Sequence, residues 1–219
     1  MIDLSNSKPF ASGANRDCFR HPDNPDLCLK VVRPEARTRQ QSVVRTLPGR
    51  RRPDDNQQEL AAYHQSAIRN LLGQGREELV WAHLPRFYGT TETSRGKANV
   101  SQLILDSRAM PAKTLERYLQ DQRLDPAIEA AIARFDAWLA ATGILTRNLL
   151  PHNLVVAETG PQPELFLIDG LGAPAVPNRL AILRPWRRRY VSRKIRRFHL
   201  RIRWELAGRK GRWRDAQKL

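Results

Sequence analysis

Along the first hundred residues, apolar and polar positions fall into short runs bounded by turn formers. Phe10 to Phe19 reads as a pair of strands around Ala11-Ser12-Gly13-Ala14-Asn15, and His21-Pro22-Asp23-Asn24-Pro25-Asp26 as the turn after it. Leu27-Cys28-Leu29-Lys30-Val31-Val32 is the next strand. From Gln57 to Leu72 the apolar spacing changes to three and four (Leu60, Tyr63, Ala67, Leu71), which predicts a helix closed by Gly73. Val100 to Leu105 predicts another strand, and Asp106 to Pro111 an irregular connection.

The second half is more helical. Thr114 to Leu119 opens a helical stretch, and Asp125-Pro126 pairs a capping carboxylate with proline at the first helical position. The helix it starts carries Ile128, Ala131, Ile132, Phe135, Trp138 and Leu139 on one face and stops near Gly143. After the loop Ile144 to Asn153, Leu154-Val155-Val156 and Leu165-Phe166-Leu167-Ile168 form a hairpin around Gly160-Pro161-Gln162-Pro163, closed by Asp169-Gly170. Alternating strand–helix units are missing, so the order fits α+β lobes joined near Leu105–Pro111 and not a doubly wound sheet.

Composition narrows the class. With 41% hydrophobic and 27% charged residues, the 219-residue chain can bury a real core, which excludes a wholly disordered protein. No apolar run reaches the roughly 18 residues a spanning helix needs. Met1 to Asn6 has neither a basic start nor an apolar stretch, so no secretory signal is expected. Cys18 and Cys28 are too few for a disulfide scaffold or a four-thiolate zinc site; they read as small buried packing groups. A cytoplasmic, reducing compartment follows as the expectation.

Charge divides the chain. Arg179 to Leu219 holds 16 of the 38 Lys and Arg against Glu205 and Asp215, which is +14 of the net +16 and leaves +2 for residues 1–178. Within the body, Arg33 to Pro53 is a basic loop of seven Arg and one acid, Glu35. In the tail, Val191, Ile195, Phe198, Ile202 and Leu206 fall on one helical face, with Arg193, Lys194, Arg196, Arg197, Arg201 and Arg203 around it and Trp186, Trp204 and Trp213 nearby. Residues 184–214 thus allow three partners. One is the anionic inner-membrane surface, and a second is the chain's own body with an acidic partner outside. The third, nucleic acid, ranks last, because no binding motif supports it beyond charge.

Candidate chemistry begins with Lys30, a lone cation inside an apolar strand. It needs an anionic partner unless it sits on an edge facing solvent. Glu59, one position before the apolar stripe of the Gln57–Leu72 helix, would alone be a surface carboxylate. Asp169-Gly170 would alone be a turn, and Asn153 a loop residue capping backbone groups. Their order is more telling than each of them. A strand lysine, a helix glutamate, an Arg-Asn-x-x-x-x-Asn loop and a hairpin-closing Asp-Gly together resemble the protein-kinase-like fold.

A closer resemblance runs from about Phe10 to Gly172. Cys18-Phe19-x-His21-Pro22, Leu27-Cys28-Leu29-Lys30-Val31, Thr114-Leu115-x-x-Tyr118-Leu119, and Asn153 with Leu167-Ile168-Asp169-Gly170-x-Gly172 are similar to the bacterial YrbL family, named for the PhoP regulatory network and assigned to the kinase-like superfamily. The resemblance implies a two-lobed fold with a short second lobe, to which the residues of the tail add a basic amphipathic C-terminal helix. The N-lobe would be 1–106, the C-lobe 107–178 and the tail 179–219. It implies ATP with magnesium, Lys30 and Glu59 clamping phosphates under the loop at Gly13, and Asn153 with Asp169 holding the metal. Arg147 matches the family loop's arginine. Asn148 stands where kinases carry the catalytic aspartate and Thr146 where they carry a histidine, no Ala-Pro-Glu follows, and Gly13 is the one glycine of the phosphate-covering loop. An active enzyme would phosphorylate a small-molecule or envelope glycolipid hydroxyl; the alternative is a pseudokinase acting as a regulatory binding module.

Overall fold

The computed structural model describes residues 1–36, 53–122, 124–172 and 183–213. Most of the expected basic loop, at 37–52, lies outside the described residues, as do 173–182 and 214–219. The architecture is α+β, and the chain divides into two units: Met1–Ala61 with Arg86–Leu103, and Ala62–Pro85 with Ile104–Leu219.

Unit 1 is built on an antiparallel sheet of β1 (Ala11–Ser12), β2 (Arg16–Arg20), β3 (Leu27–Val32), β4 (Phe87–Thr93) and β5 (Gly96–Gln102), in the order β1-β2-β3-β5-β4. The register sets Cys18 opposite Lys30 and Lys30 opposite Asn99. Because strand side chains alternate, one face presents Phe19, Leu29, Val31, Ala98 and Val100, which form the core with Leu4. The other face therefore carries Arg16, Cys18, Cys28, Lys30, Asn99 and Ser101. Strand β3 is interior, flanked by β2 and β5, so Lys30 is no edge lysine. β4 was not expected from the apolar pattern, because its inward positions after Phe87 are small or polar (Gly89, Thr91, Thr93); its β-branched and aromatic content was the available signal.

The helix expected over 57–72 is two helices, α1 (Asp55–Tyr63) and α2 (Ser66–Gly73). Gln65 breaks it: its backbone is extended (φ −63°, ψ 150°), and its side-chain oxygen accepts from the Leu145 amide at 2.6 Å. A tertiary hydrogen bond thus overrides helix propensity at one residue. A short helix, α3 (Glu77–Trp81), follows.

Unit 2 continues with α4 (Leu115–Gln122) and α5 (Pro126–Thr142). At the start of α5 the Asp125 carboxylate accepts from the Ile128 amide at 2.8 Å, and at its end Gly143 is left-handed (φ 62°). The buried face of α5 sets Phe135 and Trp138 5.4 Å apart, and the Trp138 indole donates to the Leu79 carbonyl at 2.6 Å. A short 3-10 turn, Pro151–Asn153, leads into the hairpin β6 (Leu154–Ala157) and β7 (Glu164–Leu167).

The basic tail is the helix α6 (Arg184–Leu206), and it packs inside unit 2 against α4 and α5. Tyr190, Val191, Phe198 and Ile202 are buried, whereas Leu206, expected on the same stripe, is exposed. Polar fastenings complete the seat. His199 Nε2 lies 2.5 Å from Asp136 Oδ2 on α5. Glu205, buried, takes Arg201 at 2.7 Å and Arg209 at 2.5 Å, and Arg209 also reaches Glu116 of α4 at 2.8 Å. Among the described residues no helix is long and apolar enough to cross a membrane.

The His199–Asp136 hydrogen bond raises the imidazole's pKa above the usual histidine value, against the opposing effect of burial. A raised folded-state pKa gives stability that is whole below about pH 6.5 and lost as pH rises through the folded value. Melting temperatures of wild type and His199→Gln should therefore differ most near pH 6 and converge in alkaline buffer. A gap of constant size would show that the pair does not titrate.

Candidate functional site

The structure gathers the sequence-predicted residues into one cluster per unit. In unit 1 the centre is Glu59, 7% exposed on the sheet-facing side of α1. Lys30 Nζ approaches its Oε1 at 2.5 Å, and Arg16 Nη1 its Oε2 at 2.7 Å. Asn99 Nδ2 donates to the same Oε2 at 2.9 Å and to the Asn56 carbonyl at 3.0 Å. Asn56, also buried on α1, donates to the Lys30 carbonyl at 2.9 Å. Burial would push the Glu59 carboxyl up, but the charges of Lys30 and Arg16 outweigh it and hold its pKa below the ordinary glutamate value.

Two cations thus share one buried carboxylate. Arg16, Asn56 and Asn99 were not anticipated. A single sequence does not reveal which strand lies opposite which, and only the register brings Asn99 beside Lys30. Gly13 sits in the β1–β2 turn with its amide donated to the Arg16 carbonyl at 2.8 Å. A Cβ there would meet nothing closer than 3.6 Å, so the position does not demand glycine.

The two cysteines share this polar face and act on one another. A hydrogen bond from Cys28, then the charges of Lys30 and Arg16, bring the Cys18 thiol down to about 7 against the effect of burial. Cys28 is pushed up by the same contact and by burial.

In unit 2 the loop from Thr146 to Asn153 closes on the Asp169-Gly170 turn. The Gly170 carbonyl accepts from Thr146 Oγ1 at 2.8 Å and the Arg147 amide at 2.7 Å, and Asn153 Nδ2 donates to the Asn148 carbonyl at 2.8 Å. Gly170 has φ +79°, and a Cβ there would stand 2.5 Å from the Asn148 carbonyl oxygen and 3.0 Å from Asn153 Nδ2. Both its conformation and the close approach require glycine. The result is a compact group: Asn153 buried, Asn148 and Asp169 exposed, with one Asp169 oxygen accepting the Gly170 amide at 2.7 Å.

Asn153 commits its amide nitrogen to the loop, so its side-chain oxygen and the Asp169 carboxylate are the hard oxygen donors here. Such a set suits magnesium, which takes one or two protein oxygens with substrate phosphates and water. Among the described residues no cluster of three His, Cys, Asp or Glu forms a self-sufficient metal cage. His152 lies 3.7 Å from Glu116, outside this group.

Helix α6 holds the same loop from its other side. Tyr190 Oη donates to the Thr146 carbonyl at 2.8 Å, and Lys194 Nζ donates to the Arg147 carbonyl. Burial, then the charges of Arg197 and Arg193, bring the Lys194 pKa down to about 8. Neither residue stands out in the sequence, since Tyr190 and Lys194 look like ordinary members of an amphipathic helix.

The sequence model of the family described as PhoP regulatory network protein YrbL matches residues 2–206, which takes in both clusters and α6. Over 158 residues the chain is 25% identical to "Uncharacterized protein YrbL" of Escherichia coli (strain K12), covering 71% of this chain and 65% of that one. The figures are the same for the protein of that name from Shigella flexneri. The chain spans just under two thirds of the length of these curated relatives, at 65%.

Replacing Glu59 with Gln leaves Lys30 and Arg16 buried without their counter-charge. The loss should be about 3–5 kcal/mol in urea denaturation at neutral pH. Because the Glu59 pKa is lowered, its contribution is present above the ordinary glutamate value of 4.5 and is lost as pH falls through the folded one, so the two proteins should converge in acid.

Proposed function

The chain belongs to the PhoP regulatory network protein YrbL family, and from that premise we propose that it is a kinase-like protein that binds ATP with magnesium. The observation that carries the reading is the pairing of two buried cations with the single carboxylate of Glu59. A buried lysine held in place by a carboxylate is a pre-oriented, charge-assisted donor for the oxygens of an anionic phosphate. In this reading Glu59 orients Lys30 toward phosphate oxygens, with Arg16 as an added positive group. Asn153 Oδ1 and the Asp169 carboxylate would hold magnesium, which supplies charge neutralisation of the phosphates when bound.

Asn148 favours a second form of the same reading. Its amide cannot accept a hydroxyl proton as a carboxylate does, so general-base help is missing. Phosphoryl transfer rests mostly on positioning and electrostatics, and losing the base would slow it by roughly 10²–10⁴. The chain is then either an attenuated kinase acting on a small-molecule or envelope glycolipid hydroxyl, or a pseudokinase whose output is a regulatory contact.

Thermal-shift titration with ATP, with and without magnesium, tests the binding. A ligand at 100 times its dissociation constant stabilises by about 2.7 kcal/mol. The magnesium-dependent part of the shift should vanish in Asp169→Ala, and ATP affinity should fall about tenfold or more in Lys30→Met, which removes a charge-assisted phosphate contact. Absence of any shift in wild type would end the kinase-like reading. Asn148→Asp then separates the two forms: transfer to added acceptors should rise by about 10²–10⁴ for an attenuated kinase. It should stay at background for a pseudokinase.

A further inference from the structure

We propose that unit 2 carries a separate binding site for a phosphomonoester, in the arginine-lined cavity at the head of α6. The cavity has a volume of about 270 Å³, and Arg76, Arg184, Arg187, Arg188, Asn70 and Gln74 line it. No Asp or Glu is among its lining residues, and none of the four arginines forms an ion pair with a described carboxylate. It shares no residue with the Glu59 cluster or with the Asn148–Asn153–Asp169 group.

Three independent features of the sequence converge on an anion there. The first turn of α6 contains no acid and has no side-chain N-cap. The positive end of a helix favours acids, yet Arg184, Arg187 and Arg188 are placed on it. Cations three and four residues apart on one helix also repel one another. The third feature is Arg76, which lines the same cavity from another element, just before α3, and adds a fourth guanidinium.

Arg187 Nε lies 3.9 Å from where a Cβ on Gly143, the residue that ends α5, would stand. A single carbonyl end does not balance four guanidinium groups. A doubly charged phosphate offsets two of the four charges, and the planar guanidinium fork matches its oxygens two at a time, which an ammonium does not. Asn70 and Gln74 add neutral donors and acceptors suited to the hydroxyls of the phosphate's carrier. The volume is near the lower end of ligand pockets, about 300 Å³, so the carrier is the size of a glycerol or one sugar. The same chemistry is offered by a free sugar or glycerol phosphate and by a lipid headgroup ending in a phosphomonoester.

The test uses the full chain. Calorimetric titration with glycerol 3-phosphate reads the free ligand. Flotation with phosphatidylcholine vesicles holding phosphatidic acid, against phosphatidylglycerol at equal surface charge, reads the lipid. Wild type is compared with Arg187→Gln/Arg188→Gln, with Arg76→Gln outside α6, and with Arg193→Gln/Arg196→Gln, an equal charge loss further along the same helix. Lys30→Met removes any contribution of the proposed nucleotide site. Affinity should fall about tenfold or more in the first variant, since two charge-assisted bonds are lost, and should also fall in Arg76→Gln. It should be unchanged in Arg193→Gln/Arg196→Gln and in Lys30→Met.

Binding of glycerol 3-phosphate assigns a soluble ligand. Binding confined to phosphatidic acid vesicles assigns a lipid headgroup and keeps the site. Equal losses in both double variants, or equal binding of the two vesicle types, would show a diffuse basic surface of the kind nucleic acid also meets, and would overturn the proposal. So would the absence of any phosphomonoester binding. Because Arg76→Gln changes one exposed side chain outside α6, a failure of the helix variant to fold leaves the proposal open to refutation.

Discussion

Unit 1 depends on the burial of one carboxylate. Removing Glu59 from water costs several kcal/mol, and the structure recovers it by drawing a donor from each of three strands: Arg16 from β2, Lys30 from β3 and Asn99 from β5. Helix α1 is therefore placed on the sheet by charge and hydrogen bonding, with Asn56 adding its bond to the Lys30 carbonyl. The opposite face of the same sheet follows ordinary apolar packing around Phe19 and Leu29. The two faces specify different things. The apolar face supplies stability, while the polar face fixes register, because a shift of one residue in any of the three strands would turn its charged or amide group to the wrong side.

The polar face also changes the chemistry of what lies on it. Cys18 is acidified by its neighbour Cys28 and by the two cations, so a thiol that composition alone marks as packing has its pKa lowered against the effect of burial. Unit 2 shows a steric version of the same principle. Asn148 and Asn153 come together because Gly170 has no side chain, and the turn it forms accepts the loop's donors on its one carbonyl. In one unit a charge, in the other a missing atom, gathers residues that are far apart in sequence.

What was legible in the sequence was what is local. The cap and stop of the Pro126–Thr142 helix, the hairpin ahead of Asp169, and the need of Lys30 for an anion could all be read from neighbouring residues and elementary physics. The break at Gln65 could not, because its cause is a hydrogen bond to Leu145, 80 positions away. Arg16 and Asn99 were invisible for a related reason: their role depends on strand register, which hydrophobic alternation in short strands does not determine. The tail was half legible. Its amphipathic stripe was evident, but the surface it covers is not written in the helix, and Tyr190 and Lys194 gain meaning only from the loop carbonyls they meet.

That last contact ties the chain's charge to its loop. Nearly all the net charge lies in the tail, and its main helix donates two hydrogen bonds to the carbonyls of Thr146 and Arg147, immediately before Asn148. Lys194 makes one of them while burial and the charges of Arg193 and Arg197 push its pKa down to about 8. By linkage, any anion that neutralises those arginines must return proton affinity to Lys194, and a firmly charged ammonium is the stronger donor to a carbonyl. Lys194 thus links the arginines of α6 to the loop that carries Asn148. A helix carrying so many arginines is costly to fold against itself, and its placement behind the loop lets that cost respond to the ionic surroundings.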